Sequence, residues 1–221
     1  NDDAATVSSA DITLTETDAV LSTNGTLTAS DVDNTDNTFI AQSNIAGTNG
    51  TFNLATDGTW TYVANSAFDS LNVDETVSDT FTVQSADGTT SSVKVTITGA
   101  NDAPTFSAAV TSTASEDVAS YTVNLLVNAA DVDTSDTLTV SNVSLTSGDA
   151  SGVTLSGTTL SVTPSAYNAL ANGESAVIVY GYDVEDNNGA TVAQTATITI
   201  TGANDAATVS SADITLTETD V

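Results

Sequence analysis

Residues 91–102 read SSVKVTITGAND. Val93, Val95 and Ile97 alternate with Ser92, Lys94, Thr96 and Thr98, a period of two that sends successive side chains to opposite faces of a pleated strand. The strand stops at Gly99, and an Asn-Asp pair follows. The same arrangement returns in ITITGANDAA (198–207), where Ile198 and Ile200 alternate with threonines. The phrase TGANDA recurs 103 residues after its first appearance, and AATVSSADITLTETD stands at both 4–18 and 206–220. Repetition of this kind means that one supersecondary unit is used more than once.

Two halves of about 100 residues, a normal size for a small sandwich domain, align along their length. Asp31, Asp33 and Asp36 match Asp131, Asp133 and Asp136, and Glu16 matches Glu116. Trp60 and Tyr62 match Leu160 and Val162, Ser66-Ala67-Phe68 matches Ser165-Ala166-Tyr167, and Asp87 matches Asp186. Short β-branched runs are separated by the turn pairs Asn24-Gly25, Asn49-Gly50, Asp57-Gly58, Asp87-Gly88 and Asn188-Gly189. A helical turn is placed only around Ser66–Leu71 and Ser165–Leu170. The expected fold is all-β, two sandwich domains in tandem over 1–100 and 105–203. A linker spans 101–104, and 204–221 form a linker and the first strand of a further repeat.

Charge narrows the function. Lys94 is the single basic residue against 29 acidic ones, a formal net charge of -28. Such a chain repels phosphate backbones and anionic lipid, which argues against nucleic-acid and membrane partners. With 39 % hydrophobic residues it still has material for small cores, so the acidity must be tolerated by a folded protein, and bound cations are the simplest means. There is no His and no Cys, so the usual general bases and activated nucleophiles are missing and no catalytic function is expected. No apolar run approaches the roughly 20 residues that span a bilayer.

With those segments in place, the chain resembles the VCBS and cadherin-like (bacterial immunoglobulin-like) tandem repeats of large RTX-type bacterial adhesins. The first half carries GTLTASDVD (25–33), GTFNLATDGTWTY (50–62), DTFTVQSADG (79–88) and VTITGANDAP (95–104); the second carries AADVD (129–133), YDVEDNNG (182–189) and ITITGANDAA (198–207). The resemblance implies immunoglobulin/cadherin-like sandwiches in an extended array, export to the bacterial cell surface, and calcium at the junctions. Matching positions assign Glu16, Asp87, Asn101, Asp102, Asp131 and Asp133 to the first junction. Glu116, Asp186, Asn204 and Asp205 begin an equivalent site after the second domain, and Asp31 and Asp33, with Asp2 or Asp3, form half a site at the front. Asp131-x-Asp133 suits this chemistry, because residues i and i+2 of an extended segment point the same way. The sequence lacks the D-R-E motif and the longer acidic linker of cadherins proper.

Other readings of the same residues are weaker. Isolated Asp18, Asp69, Asp74 and Asp149 read as solvated surface. An EF-hand at Asp31 fails, since its twelfth position is Gln42 and its sixth is Asp36. Trp60 shares a strand face with Tyr62 and reads as core rather than as a sugar platform, and Lys94 alternates away from the core. The expected role is a calcium-stiffened structural extender in cell adhesion or biofilm formation. Its partners are neighbouring repeats of the same chain, and no obligate oligomer is expected. A glycan- or peptide-binding module is the alternative.

Overall fold

The computed structural model describes residues 3–32, 37–207, 209–211 and 218. The chain forms two compact units, one of Asn1–Ser107, Ala129–Thr139 and Val184–Val192, the other of Ala108–Asn128, Val140–Asp183 and Ala193–Val221.

The first unit contains β1 (Thr6–Val7), β2 (Ala10–Thr15), β3 (Ser22–Thr26), β4 (Ala29–Ser30), β5 (Gln42–Ala46), β6 (Gly50–Leu54), β7 (Thr59–Ala64), β8 (Thr76–Gln84) and β9 (Thr90–Thr98). One sheet has the order β2-β9-β8 and the other β3-β7-β6-β5. β8 and β9 are an antiparallel hairpin, while β2 runs parallel to β9 with Ile12 beside Val95 and Leu14 beside Ile97. The alternation read at 91–98 is therefore the core face of β9: Val93, Val95 and Ile97 are buried and Lys94 is exposed. Opposite them, Phe52 stacks on Phe81 with ring centroids 4.7 Å apart, and Trp60 and Tyr62 pack alongside at 6.2 and 6.0 Å from Phe52 and Phe81. Trp60 is 2 % exposed, a core residue as its strand face predicts. Asn24-Gly25, expected as a turn, lies inside β3 instead: Gly25 is the cross-strand neighbour of Trp60, and a Cβ there would stand 2.7 Å from the indole, so the glycine serves the ring's packing over bare backbone.

Two short strands complete this unit. β10 (Thr105–Phe106) pairs with the segment Ala129–Ala130, numbered β13, as β1 pairs with β4. Both pairs end just before an Asp-x-Asp.

The second unit follows the same plan with β11 (Val110–Ser115), β12 (Tyr121–Asn124), β14 (Thr139–Ser147), β15 (Val153–Ser156), β16 (Thr159–Val162), β17 (Ser175–Glu185) and β18 (Thr191–Thr201). β11 is parallel to β18, as β2 is to β9. Its core is largely aliphatic, with Leu125, Leu160, Val162, Ile178, Ile198 and Ile200 fully buried. The sheets are β11-β18-β17-β14 and β12-β16-β15. The strand after the Asp-rich loop has thus changed sheets: β5 pairs with β6, whereas its counterpart β14 pairs with β17.

The helical turn expected around Ser165–Leu170 is a 3-10 helix over Pro164–Tyr167. The one expected around Ser66–Leu71 does not form. There Phe68 takes a left-handed φ of 71°, which no right-handed helical turn accommodates.

Candidate metal centre

The site is built from the end of β9 outward, inside the first unit. At the end of the parallel strand β2, Glu16 N–H donates to Thr98 O at 2.9 Å, and the side chain turns inward until it is 3 % exposed. Its Oε1 accepts the Ala100 N–H at 2.9 Å. Gly99 allows this closure, because a Cβ there would stand 2.2 Å from the Asn72 carbonyl. Glu16 Oε2 has no hydrogen-bond partner.

The linker then ties itself to the loops 129–139 and 184–192. Asp102 N–H donates to Asp133 Oδ2 at 2.9 Å, and Asn101 Nδ2 donates to Asp186 Oδ2 at 2.9 Å. Asp133 is 2 % exposed, yet its Oδ1 is unpartnered. Asp131 Oδ1 accepts the Asp133 N–H at 3.0 Å while its Oδ2 is also unpartnered. Asn101 Oδ1, Asp102 Oδ2 and Asp69 Oδ1 share that condition. A buried oxygen without a donor costs about 1–3 kcal/mol, and more when it is charged. Six such atoms gathered at one end of a unit are a shared acceptor surface, not six separate accidents.

One group already has the spacing of an ion's shell. Carboxylate oxygens of Asp131, Asp136 and Asp186 lie within 4.8 Å of one another, close enough for one calcium ion with ligands at about 2.4 Å to be reached by all three. Hydrogen bonds aim these side chains: Asp186 Oδ1 accepts N–H groups from Asn188 and Ala190 at 2.8 and 3.0 Å, and both oxygens of Asp136 accept from Asn188 Nδ2 at 3.0 Å. Hollows of about 470 and 340 Å³ open elsewhere in the cluster, one lined by Glu16, Asp18, Asn101 and Asp102, the other by Asp18, Asp69 and Asp102.

The electrostatics of these carboxyls follow from their surroundings. Desolvation, then the charges of Glu16, Asp133, Asp18 and Asp69, push the Asp102 carboxyl up to about 6. Burial and the neighbouring Asp133, Asp136 and Asp186 likewise raise Asp131, against the hydrogen bond from Asp133. Burial alone would raise Asp186 too, but bonds from Asn101, Ala190, Asn188 and Gly189 hold it below the usual carboxylate range. The one basic side chain, Lys94, points outward from β9 and takes no part. Oxygen-only donors, many of them anionic, suit a hard cation such as calcium; zinc would draw on His or Cys, and the chain has neither.

The structure brings together Glu16, Asn101, Asp102, Asp131 and Asp133, and it exchanges two assignments. Asp87, expected with Glu16, accepts instead from Ala5 N–H at 2.8 Å, from Ser85 Oγ and from Thr89 Oγ1 at 2.7 Å. These bonds, the one from Ala5 foremost, hold its carboxyl low. Asp186, expected with Glu116, is the residue bonded to Asn101. The reason is strand length. Asp87 lies in the turn before β9 and Glu16 beside its far end, and nine residues of strand separate these by about 30 Å. Glu116 likewise lies beside the far end of the eleven-residue β18, where its N–H donates to Thr201 O at 3.0 Å.

Asp31 follows β4, whose partner β1 begins just after Ala5, so it lies at the Asp87 end. Asp33 falls outside the described residues. In the second unit Glu116 is fully buried and accepts from Ala203 N–H at 2.7 Å, with Asn204 and Asp205 exposed beyond it.

Two members were missing from the sequence assignment. Asp69, read as solvated, presents a buried unpartnered oxygen beside Asp102, carried there by the left-handed turn at Phe68. Asp136 had a signal, its register with Asp36, that had not been used for ligation. Asp18, Asp74 and Asp149 are exposed as expected, although Asp18 borders both hollows.

The bacterial cadherin-like domain family matches residues 1–99, and the cadherin-like domain family matches residues 100–201. This chain is two cadherin-like domains in tandem. Among solved structures, mouse cadherin-23 EC22-24 has a TM-score of 0.53 at 14 % identity, with 91 % of this chain and 67 % of that one covered. Human mucin-like protocadherin EC1-2 gives 0.50 at 16 %, covering 90 % and 99 %. The match to protocadherin gamma B7 domains 1–4 covers 89 % of this chain and 50 % of the other, at a TM-score of 0.45 and 14 % identity, so this chain spans half the length of that structure. At these identities the likeness establishes the cadherin-like fold alone. No curated protein matches the chain. Divided by family match, the first cadherin-like domain supplies Glu16 and Asp69, and the second supplies Asn101, Asp102, Asp131, Asp133, Asp136 and Asp186. No helix among the described residues is long and apolar enough to cross a membrane.

Proposed function

We propose that this chain is an extender segment of a secreted bacterial surface adhesin. In this reading, calcium bound by Glu16, Asp69, Asn101, Asp102, Asp131, Asp133, Asp136 and Asp186 stiffens the connection between the two cadherin-like domains. Its partners are then neighbouring repeats of the same chain, and it serves adhesion or biofilm formation by holding a ligand-binding region away from the cell. One observation carries the reading: Glu16 Oε2 and Asp133 Oδ1, on side chains that are 3 % and 2 % exposed, stand among further carboxylates with no donor and no basic side chain among the described residues to meet them. A divalent cation satisfies those oxygens and cancels their repulsion together.

In this mechanism the protein's own groups pre-arrange the ligands. The Ala100, Asp102 and Asp133 N–H groups each hold one oxygen of Glu16, Asp133 and Asp131 and leave the other for the ion. Calorimetric titration of calcium into chelator-stripped protein tests the assignment. Binding that weakens at least tenfold in Asp133→Asn, about 1.4 kcal/mol, supports it. No heat and no change in melting temperature on adding calcium would defeat it.

A further inference from the structure

The change of sheet by β5 leaves a strand-shaped gap. In the second unit the edge of β17 is covered by β14, a nine-residue strand TVSNVSLTS without a charge. In the first unit the counterpart of that edge, β8, has only β9 beside it. The approach begins in the same way: Phe39 bridges Ser85, and Ile40 N–H donates to Gln84 O at 2.9 Å. The chain then turns aside through a bulge between Gln42 and Ile45, with Asn44 at φ 51°, and joins β6. An open groove of about 560 Å³ remains between β5 and residues 78–82 of β8.

The groove exposes strand backbone. Asn49 Nδ2 reaches Ser78 O at 3.2 Å and Gln42 Nε2 reaches Thr82 O at 2.9 Å, so the even-numbered residues of β8 turn their main chain towards the groove. By the period of two, Thr80 between them does the same. Nothing among the described residues pairs with Thr80 there. The usual protections of an edge, an outward charge or a proline, are missing from Thr76–Gln84. Its one acid, Asp79, is buried and occupied by the Thr48 and Asn49 N–H groups, both at 2.9 Å, which also hold that loop back from the edge. In a chain of net charge -28 the slot's lining carries a single charged side chain, the Asp79 carboxylate already held by that loop, with Ile45 and Phe81 beside it.

We infer that the groove between β5 and β8 is a docking slot for an extended, uncharged Ser/Thr/Val-rich peptide strand, which would add to the β8 edge as β14 adds to β17. Residues 78–82 would take a strand of roughly five residues, about 16 Å long. A flanking β5 on one side admits a single strand rather than the edge of a second folded sandwich.

The full chain can be tested with a synthetic, end-blocked peptide of residues 138–148 at about 1 mM, enough for a weak encounter. Amide exchange at Ser78, Thr80 and Thr82 should slow about tenfold as the ladder forms. Thr80→Pro should abolish the protection while sparing β8–β9 pairing, because the Thr80 N–H lies on the open side. A peptide N-methylated along its β8-facing edge should fail as well, and this control does not depend on how a variant folds. Unchanged exchange with the parent peptide would overturn the inference. So would protection that persists in both controls, or protection that is traced to self-association of the chain without peptide.

Discussion

Glu16 and Glu116 occupy the same position in the two units and are treated alike by the backbone. Each is buried, each gives one oxygen to the N–H of the residue after a glycine, and each keeps the other oxygen unpartnered. Their surroundings differ. Around Glu16 stand the unpartnered oxygens of Asp69, Asn101, Asp102, Asp131 and Asp133, whereas in the second unit Glu116 Oε2 is the one such side-chain atom among the described residues. By alignment, Asn168 and Val118 stand where the first unit has Asp69 and Asp18. A buried glutamate at the end of the parallel strand, β2 or β11, is thus a shared device of both units. On the proposed reading, how strongly it would draw a cation depends on the acids placed around it.

The cores differ as well, and the largest expected effect uses that contrast. Trp60→Ala should destabilise the first unit by about 3–5 kcal/mol, and Leu160→Ala the second by about 2–5 kcal/mol. Trp60 is the only tryptophan, so its fluorescence follows the first unit while circular dichroism follows both. Leu160→Ala should shift part of the dichroism transition and leave the fluorescence transition in place. A common shift in both would show that the two units do not melt as separate bodies.

Next in size is the contrast between the two glutamates. Glu16→Gln should weaken calcium binding at least tenfold, about 1.4 kcal/mol, and Glu116→Gln should leave the tightest site unchanged. Equal losses would mean that the acids around Glu16 contribute nothing of their own. The exchanged aspartates give a smaller and sharper test. Asp186→Asn should lower calcium affinity severalfold, because it removes a charge from the group with Asp131 and Asp136. Asp87→Asn should not alter that affinity, since its carboxylate serves Ala5, Ser85 and Thr89. The reverse result in a titration would restore the assignment made from sequence matching.

That exchange marks how far the sequence could be read. The period of two at 91–98, the buried Trp60 face and the register of the two halves were legible, because spacing determines which faces and phrases repeat; the proximity of Glu16, Asp102, Asp131 and Asp133 came from the family resemblance. Which end of a strand a turn occupies is not a property of spacing. Asp87 and Glu16 are brought near in an alignment of motifs and kept apart by the length of β9. Asp69 was hidden for a different reason: a lone aspartate after Phe68 gives no sign that its backbone bends through a left-handed turn. The move of β5 to the other sheet was hidden too, since five residues with a bulge have no strong face preference.

The smallest expected effect is on pH. The Asp102 carboxyl is raised from 3.8 to about 6, so between these values the folded state holds a proton that the unfolded state has released. Without calcium the melting temperature should therefore fall by a few degrees as pH rises from about 4 to about 6. Asp186 and Asp87, both held low, act below that window and with the opposite sign. With calcium bound the trend should reverse, because protons then compete with the ion for Asp102. Thermal melts at matched pH, with calcium and with chelator, read both slopes; parallel slopes would remove Asp102 from the site.

Small-angle scattering of the full chain, with calcium and with chelator, tests the central claim most directly. Asn101 and Asp102 lead into Pro104, which biases Ala103 towards extended geometry, so the linker itself is short and, on the proposed reading, the carboxylates around it would decide its freedom. Unneutralised, Glu16, Asp69, Asp102, Asp131 and Asp133 repel one another; on the proposed reading calcium would make them ligands of common ions. The account predicts a longer maximum dimension and a narrower spread of arrangements with calcium than with chelator. Superimposable curves in the two conditions would contradict it, because the acidic cluster would then have no mechanical consequence.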